Sequence, residues 1–141
     1  MQASTLTPVG VVEGLRELGY TLNPVLERVV YDHKVGPHPM TRVTGTRFRG
    51  KGRPPQVLLD AAAEHRPYVA ALVAALHPPP EVPWIPHALE SYRACRECVI
   101  GDRPYRYTSA TLAANLGALC GLEFVEEFER LEPMIKEVLS R

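Results

Sequence analysis

Residues 31–53 read YDHKVGPHPMTRVTGTRFRGKGR. Two runs rich in β-branched residues frame the middle of this stretch: residues 25–35, with Val25, Val29, Val30 and Val35, and residues 41–48, TRVTGTRF. Between them stands GPHP, so the pattern predicts two antiparallel strands joined through a loop rich in Gly and Pro. Side chains alternate across a strand, which puts Thr41, Val43 and Gly45 on one face and Arg42, Thr44 and Thr46 on the other. Arg47 and Arg49 have the opposite parity to Arg42. A single arginine face therefore requires one extra residue in the strand, a β-bulge near Gly45 that resets the pleat.

The sequence on either side of the hairpin is helical in pattern. Thr7-Pro8 is a helix start, because a Thr side chain accepts from a free first-turn amide and Pro tolerates the first helical position. Leu6 and Val11 form the accompanying staple, Val11, Val12, Leu15 and Leu18 repeat at helical spacing, and Gly19 suits the left-handed residue that ends a helix. Residues 56–76, QVLLDAAAEHRPYVAALVAAL, continue the helical pattern past Pro67, which predicts two helices at about 56–65 and 67–76. HPPPEVPWIP at 77–86 reads as a stiff extended strap between an N-terminal α/β half and a C-terminal helical half. In the second half, a helix is expected at 87–98, a turn at Gly101-Asp102, an extended RPYRYTS, and a helix TLAANLGALC capped by Ser109. The last helix places Phe124, Phe128, Leu131, Ile135 and Leu139 on one face, with a bend or break at Pro133. The fold class is thus α+β: one compact domain over residues 1–141, with an N-terminal helix, a basic β-hairpin and a mainly helical C-terminal half.

At 141 residues the chain is long enough for a real core, and 45% apolar with 23% charged residues is an ordinary globular mixture. No run reaches the roughly 18 apolar residues of a membrane span, and the N-terminal sequence lacks the basic start of a signal peptide. No membrane partner is expected, and the expected location is the cytoplasm. Three cysteines, Cys95, Cys98 and Cys120, cannot all pair within one chain, so they are read as reduced thiols. Arg outnumbers Lys thirteen to three, and Asn and Gln number only two each, a bias consistent with a GC-rich thermophile or a virus infecting one.

Formal net charge is zero, yet the charges are sorted along the chain. Residues 31–53 carry six bases, Lys34, Arg42, Arg47, Arg49, Lys51 and Arg53, against the single acid Asp32. Residues 123–132 carry five acids and one base. Arg and Lys beside Gly allow backbone amides to approach phosphate, and Phe48 offers a ring for stacking, so the segment is a candidate contact for nucleic acid or a nucleoprotein or transcription assembly. A second cluster, YRACRECVIGDRPYRY, interleaves Arg103, Tyr105 and Arg106 with further Arg and Tyr, a composition favoured at interfaces. The competing readings are a solvated hairpin, or arginines that pair with the acidic helix of the same chain. A protein-binding adaptor, or a virion- or host-directed factor working by protein contact alone, is the alternative function, and a protein partner fits either reading.

Signals for chemistry are sparse. Cys95-x-x-Cys98 has zinc-knuckle or redox spacing, with His87 and Cys120 as the residues that would complete four ligands, but a structural zinc site shows two such pairs and the motif falls in an expected helix. Thioredoxin-like chemistry needs a preceding strand, which is not expected here. TLAANLGALCGLEFVEEFERLE resembles a helix-turn-helix in outline, although its second helix would press carboxylates toward phosphate. His33 and His38 flank the hairpin loop and are the acid/base candidates for a small enzyme. No nucleophile elbow, HExxH or phosphate loop occurs, so the expectation is a non-enzymatic binding protein without a cofactor.

Overall fold

Thr7 caps the first helix as expected: its side chain accepts a hydrogen bond from the Gly10 amide at 3.0 Å, with Pro8 at the first helical position. The computed structural model describes residues 6–33, 36–94, 98–100, 103–105 and 108–140. Its order is α1 (Pro8–Glu17), β1 (Thr21–His33), β2 (Gly36–Arg49), α2 (Gln56–Glu64), α3 (Arg66–Leu76), α4 (Trp84–Ala94), β3 (Cys98–Ile100), β4 (Arg103–Tyr105), α5 (Ser109–Leu119) and α6 (Val125–Leu139). Val11, Val12 and Leu15 are fully buried from α1, whereas Leu18 is 56% exposed at its C-cap. Gly19, with φ +89°, turns the chain out of the helix and into β1.

α3 is the centre of the molecule. Every residue from Val69 to Ala75 is buried, and the helix packs against α1, α5, α6 and both strands of the hairpin. Pro67 does not kink one long helix: α2 ends at Glu64, and α3 restarts at Arg66 with Pro67 in its first turn, where a missing N–H costs no intrahelical bond. His65 sits at this joint, and its Nε2 lies 3.1 Å from the Leu6 carbonyl oxygen, tying the start of the described chain to it. Core residues come from both halves of the sequence, from Val9 through Leu72 to Val138, so one hydrophobic core spans the chain.

Five features depart from the sequence reading, some through local geometry and some through tertiary packing. GPHP is not the hairpin loop; Gly36–Arg49 is continuous strand, with Pro37 opposite Asp32 and Pro39 opposite Val30. A two-stranded ribbon leaves each strand one open edge, and prolines at i and i+2 can both direct their missing donor outward without losing a ladder bond. The strap is shorter than 77–86, because α4 begins at Trp84 and holds Pro86 within its first turn. Val82 and Ile85 are buried, which seats the strap on the core.

α4 also stops at Ala94, and Cys98 lies in β3, paired with β4, rather than on a helix. The cap of α5 is Thr108, which accepts from the Thr111 amide at 3.2 Å. Ser109 is instead the first helical residue and donates to Glu132 Oε2 at 2.7 Å, joining α5 to α6. α6 runs through Pro133 unbroken, with Leu131 and Ile135 buried on either side holding it against the core. Phe124 is 63% exposed ahead of it, while the Glu127 carboxylate reaches back to accept from the Glu123 and Phe124 amides at 3.2 and 3.1 Å. No helix among the described residues is long and apolar enough to cross a membrane.

Candidate nucleic-acid interface

The ladder between β1 and β2 slips by one residue. Val25 pairs with Gly45 and Leu26 with Val43, so Thr44 has no partner and forms the bulge that a single arginine face requires. β1 is regular through this point and therefore serves as the ruler. Its odd residues Thr21, Asn23 and Glu27 stand opposite Arg49, Arg47 and Arg42, which places all three arginines on one face of the ribbon. Its even residues Leu22 and Leu26 stand opposite Phe48 and Val43, and this face packs onto the core: Leu22 and Val43 are buried, and Leu26 and Phe48 pack against the buried cluster. Without Thr44, the residues that follow would exchange faces, sending Arg47 and Arg49 inward.

The three arginines differ in setting. Arg47 and Arg49 are exposed, beside the neutral side chains of Asn23 and Thr21, and from the ladder they are about 7 Å apart along the strand. Lys51 and Arg53 continue the exposed basic run into the connection to α2. Arg42 stands opposite Glu27 and is half-buried. Among the described residues the side chains of Arg47, Arg49 and Lys51 have no hydrogen-bond or ion-pair partner, while Arg53 donates to Gln56 Oε1 at 3.0 Å. Phe48 faces the core, which removes its ring from any base laid on the arginine face.

The connection itself is shaped by Tyr20. Its hydroxyl donates to the Lys51 carbonyl at 3.1 Å and lies 3.3 Å from the Gly52 carbonyl, holding the basic loop against the start of β1. Gly50 is needed for the same packing, since a Cβ there would lie 2.6 Å from the Tyr20 ring. One glycine that the sequence suggests for phosphate approach is thus occupied in accommodating a tyrosine.

Among the described residues the acidic stretch does not pair with the side chains of Arg47 and Arg49. α6 packs on α1, α3 and α5, and no substantial packing joins it to the hairpin among the described residues. The molecule therefore separates its charge, with a basic ribbon on one flank of α3 and an acidic helix on another.

A second feature adjoins the ribbon. Where β2 passes α4 and α5, a cleft of about 850 Å³ opens, lined by Arg42 from β2, Trp84 and His87 from α4, and Asn115 and Leu119 from α5. Sequence reasoning missed it, because it joins positions more than seventy residues apart; the available signal was one tryptophan set among prolines. Lys34, Arg106 and Cys95 lie outside the described residues. Arg103 and Tyr105 belong to β4, His33 ends β1 opposite Gly36, and His38 pairs with Tyr31. Cys120 is buried, and burial pushes its thiol from 9.0 up to about 12, so it is a packed apolar group and a poor nucleophile. Among the described residues no group of three or more His, Cys, Asp or Glu is arranged to hold a metal ion. Compared with known proteins, the chain matches no family model, no curated protein and no solved structure.

Proposed function

We propose that this chain is a non-enzymatic binding protein that holds nucleic acid on the arginine face of its hairpin. One observation carries the reading: the bulge at Thr44 turns Arg47 and Arg49 to the exposed face, where no described acid pairs with them. Lys51 and Arg53 extend the same exposed positive strip, Arg53 while donating to Gln56, so four cationic side chains stand where phosphates can meet them, each displacing a condensed counterion. Positive charge concentrated on one flank of a neutral molecule also orients its approach to a polyanion, leaving α6 turned away.

The test is fluorescence anisotropy of a labelled oligonucleotide titrated with the purified chain at several salt concentrations, alongside purification from its native cell with and without nuclease. The reading expects binding that weakens steeply with salt and nucleic acid that copurifies until nuclease is added. Absence of binding at low salt refutes it, and so does a partner protein whose retention is indifferent to nuclease and to the hairpin arginines.

A further inference from the structure

The cleft beside the ribbon has the size and lining of a ligand site. Its volume of about 850 Å³ falls within the usual range for such pockets, and its walls are largely apolar, from Met40, Val82, Trp84 and Leu119. Its polar lining comes from Ser91, Asn115 and His87, together with Thr41, Arg42 and Glu81. Asn offers both donors and an acceptor, and Ser and His each offer one of either kind, which is the equipment for reading the edge of a heterocyclic base. Trp84 supplies an aromatic face at the first turn of α4 and is 37% exposed.

Continuity with the ribbon indicates what enters. Arg42 belongs to the same strand face as Arg47 and Arg49, and its ladder partner Glu27 is four residues from the partner of Arg47, a span of about 13 Å. A backbone lying along Arg49 and Arg47 is thus led toward the cleft mouth. Phe48 faces the core, so the stacking surface that the ribbon lacks is the one the cleft provides.

We propose that the cleft receives an unstacked base of a single-stranded nucleic acid, stacked on Trp84 and held at its edge by Asn115, Ser91 or His87. The proposal rests on the ribbon reading above and names the class of nucleic acid that reading leaves open. A base in a duplex must first lose its pairing and stacking before it can enter, so single strands are preferred.

The chain holds one tryptophan, so intrinsic tryptophan fluorescence reports on Trp84 alone. The experiment titrates the full chain with a labelled single-stranded oligonucleotide, a duplex of the same length and a nucleoside monophosphate, reading label anisotropy and tryptophan emission together. The single strand is expected to quench Trp84 over the concentration range in which anisotropy rises, while the duplex binds with little quenching. Trp84→Ala is expected to weaken single-strand binding roughly 5- to 150-fold and duplex binding far less. Ala118→Phe, at an exposed cleft position, is expected to act in the same direction without touching the core. Binding of both polymers without quenching overturns the cleft proposal and leaves the ribbon reading standing. Binding of neither refutes both. Quenching by the monophosphate as tight as by the strand overturns the proposal in favour of a free-nucleotide site.

Discussion

Reversing the two outward arginines, Arg47→Glu together with Arg49→Glu, isolates the ribbon from the rest of the molecule. Four exposed bases, Arg47, Arg49, Lys51 and Arg53, make up the strip, and each phosphate neutralised on a single strand contributes about 0.7 to the slope of log affinity against log salt. The expected slope is therefore about −2.8, and raising salt from about 50 to about 200 mM weakens binding roughly 50-fold. Removing two of the four contacts halves the slope to about −1.4, and the same salt change then costs only about 7-fold. The reversed charges also repel phosphate, so affinity at low salt falls as well. Arg16→Glu with Lys136→Glu is the control, because both residues are exposed on α1 and α6 and the pair makes the same change in net charge elsewhere. Anisotropy titrations at four salt concentrations give both slopes, and urea unfolding checks that each variant folds. If the ribbon variant keeps the wild-type slope, or the control flattens it equally, the strip is not the contact.

Three further outcomes follow from the packing. Because the native Cys120 thiol keeps its proton up to about pH 12 while the unfolded thiol ionises near 9.0, stability is full below pH 9.0. It then falls as pH rises, by at most about 1.4 kcal/mol per pH unit; urea midpoints measured against pH should show the decline, and Cys120→Ala should flatten it. Gly117→Ala would place a methyl group 2.8 Å from Phe128 Cδ1 and 3.2 Å from Leu122 Cδ1 at the α5–α6 contact. Overpacking of about 1–3 kcal/mol outweighs the roughly 1 kcal/mol gained in helix propensity, so denaturation should show a net loss, and a gain in stability would refute the close contact. Leu72→Ala, at the fully buried centre of α3, should lower unfolding stability by about 2–5 kcal/mol while leaving the salt slope of any folded protein unchanged.

How much of this was legible in advance depends on the range of the forces involved. The hairpin, the Thr7 cap and the division of α2 from α3 were readable, because β-branched clusters, a cap followed by Pro, and Pro67 act within a few residues. The bulge was readable as a condition, since arginine parity demanded a pleat reset, and the slip at Thr44 supplies it. Choosing between adjacent caps was not. Thr108 and Ser109 are both able to cap, and the decision falls to Glu132 on another helix, which engages Ser109. Trp84 looked like part of a strap because the surrounding prolines hide a helix start that accepts Pro86 in its first turn. The cleft was beyond local reading altogether, as it exists only where β2, α4 and α5 converge.

The alanines of α3 bear on more than packing. Ala70, Ala71, Ala74 and Ala75 are all buried in a helix that touches the ribbon and α6 but keeps those two apart. Their methyl groups thus act as a spacer of minimum thickness between a positive and a negative layer. Each larger side chain introduced there would move the layers apart and weaken the field between them. The size of the smallest core residues thus bears on the distance between the two charged elements as well as on packing.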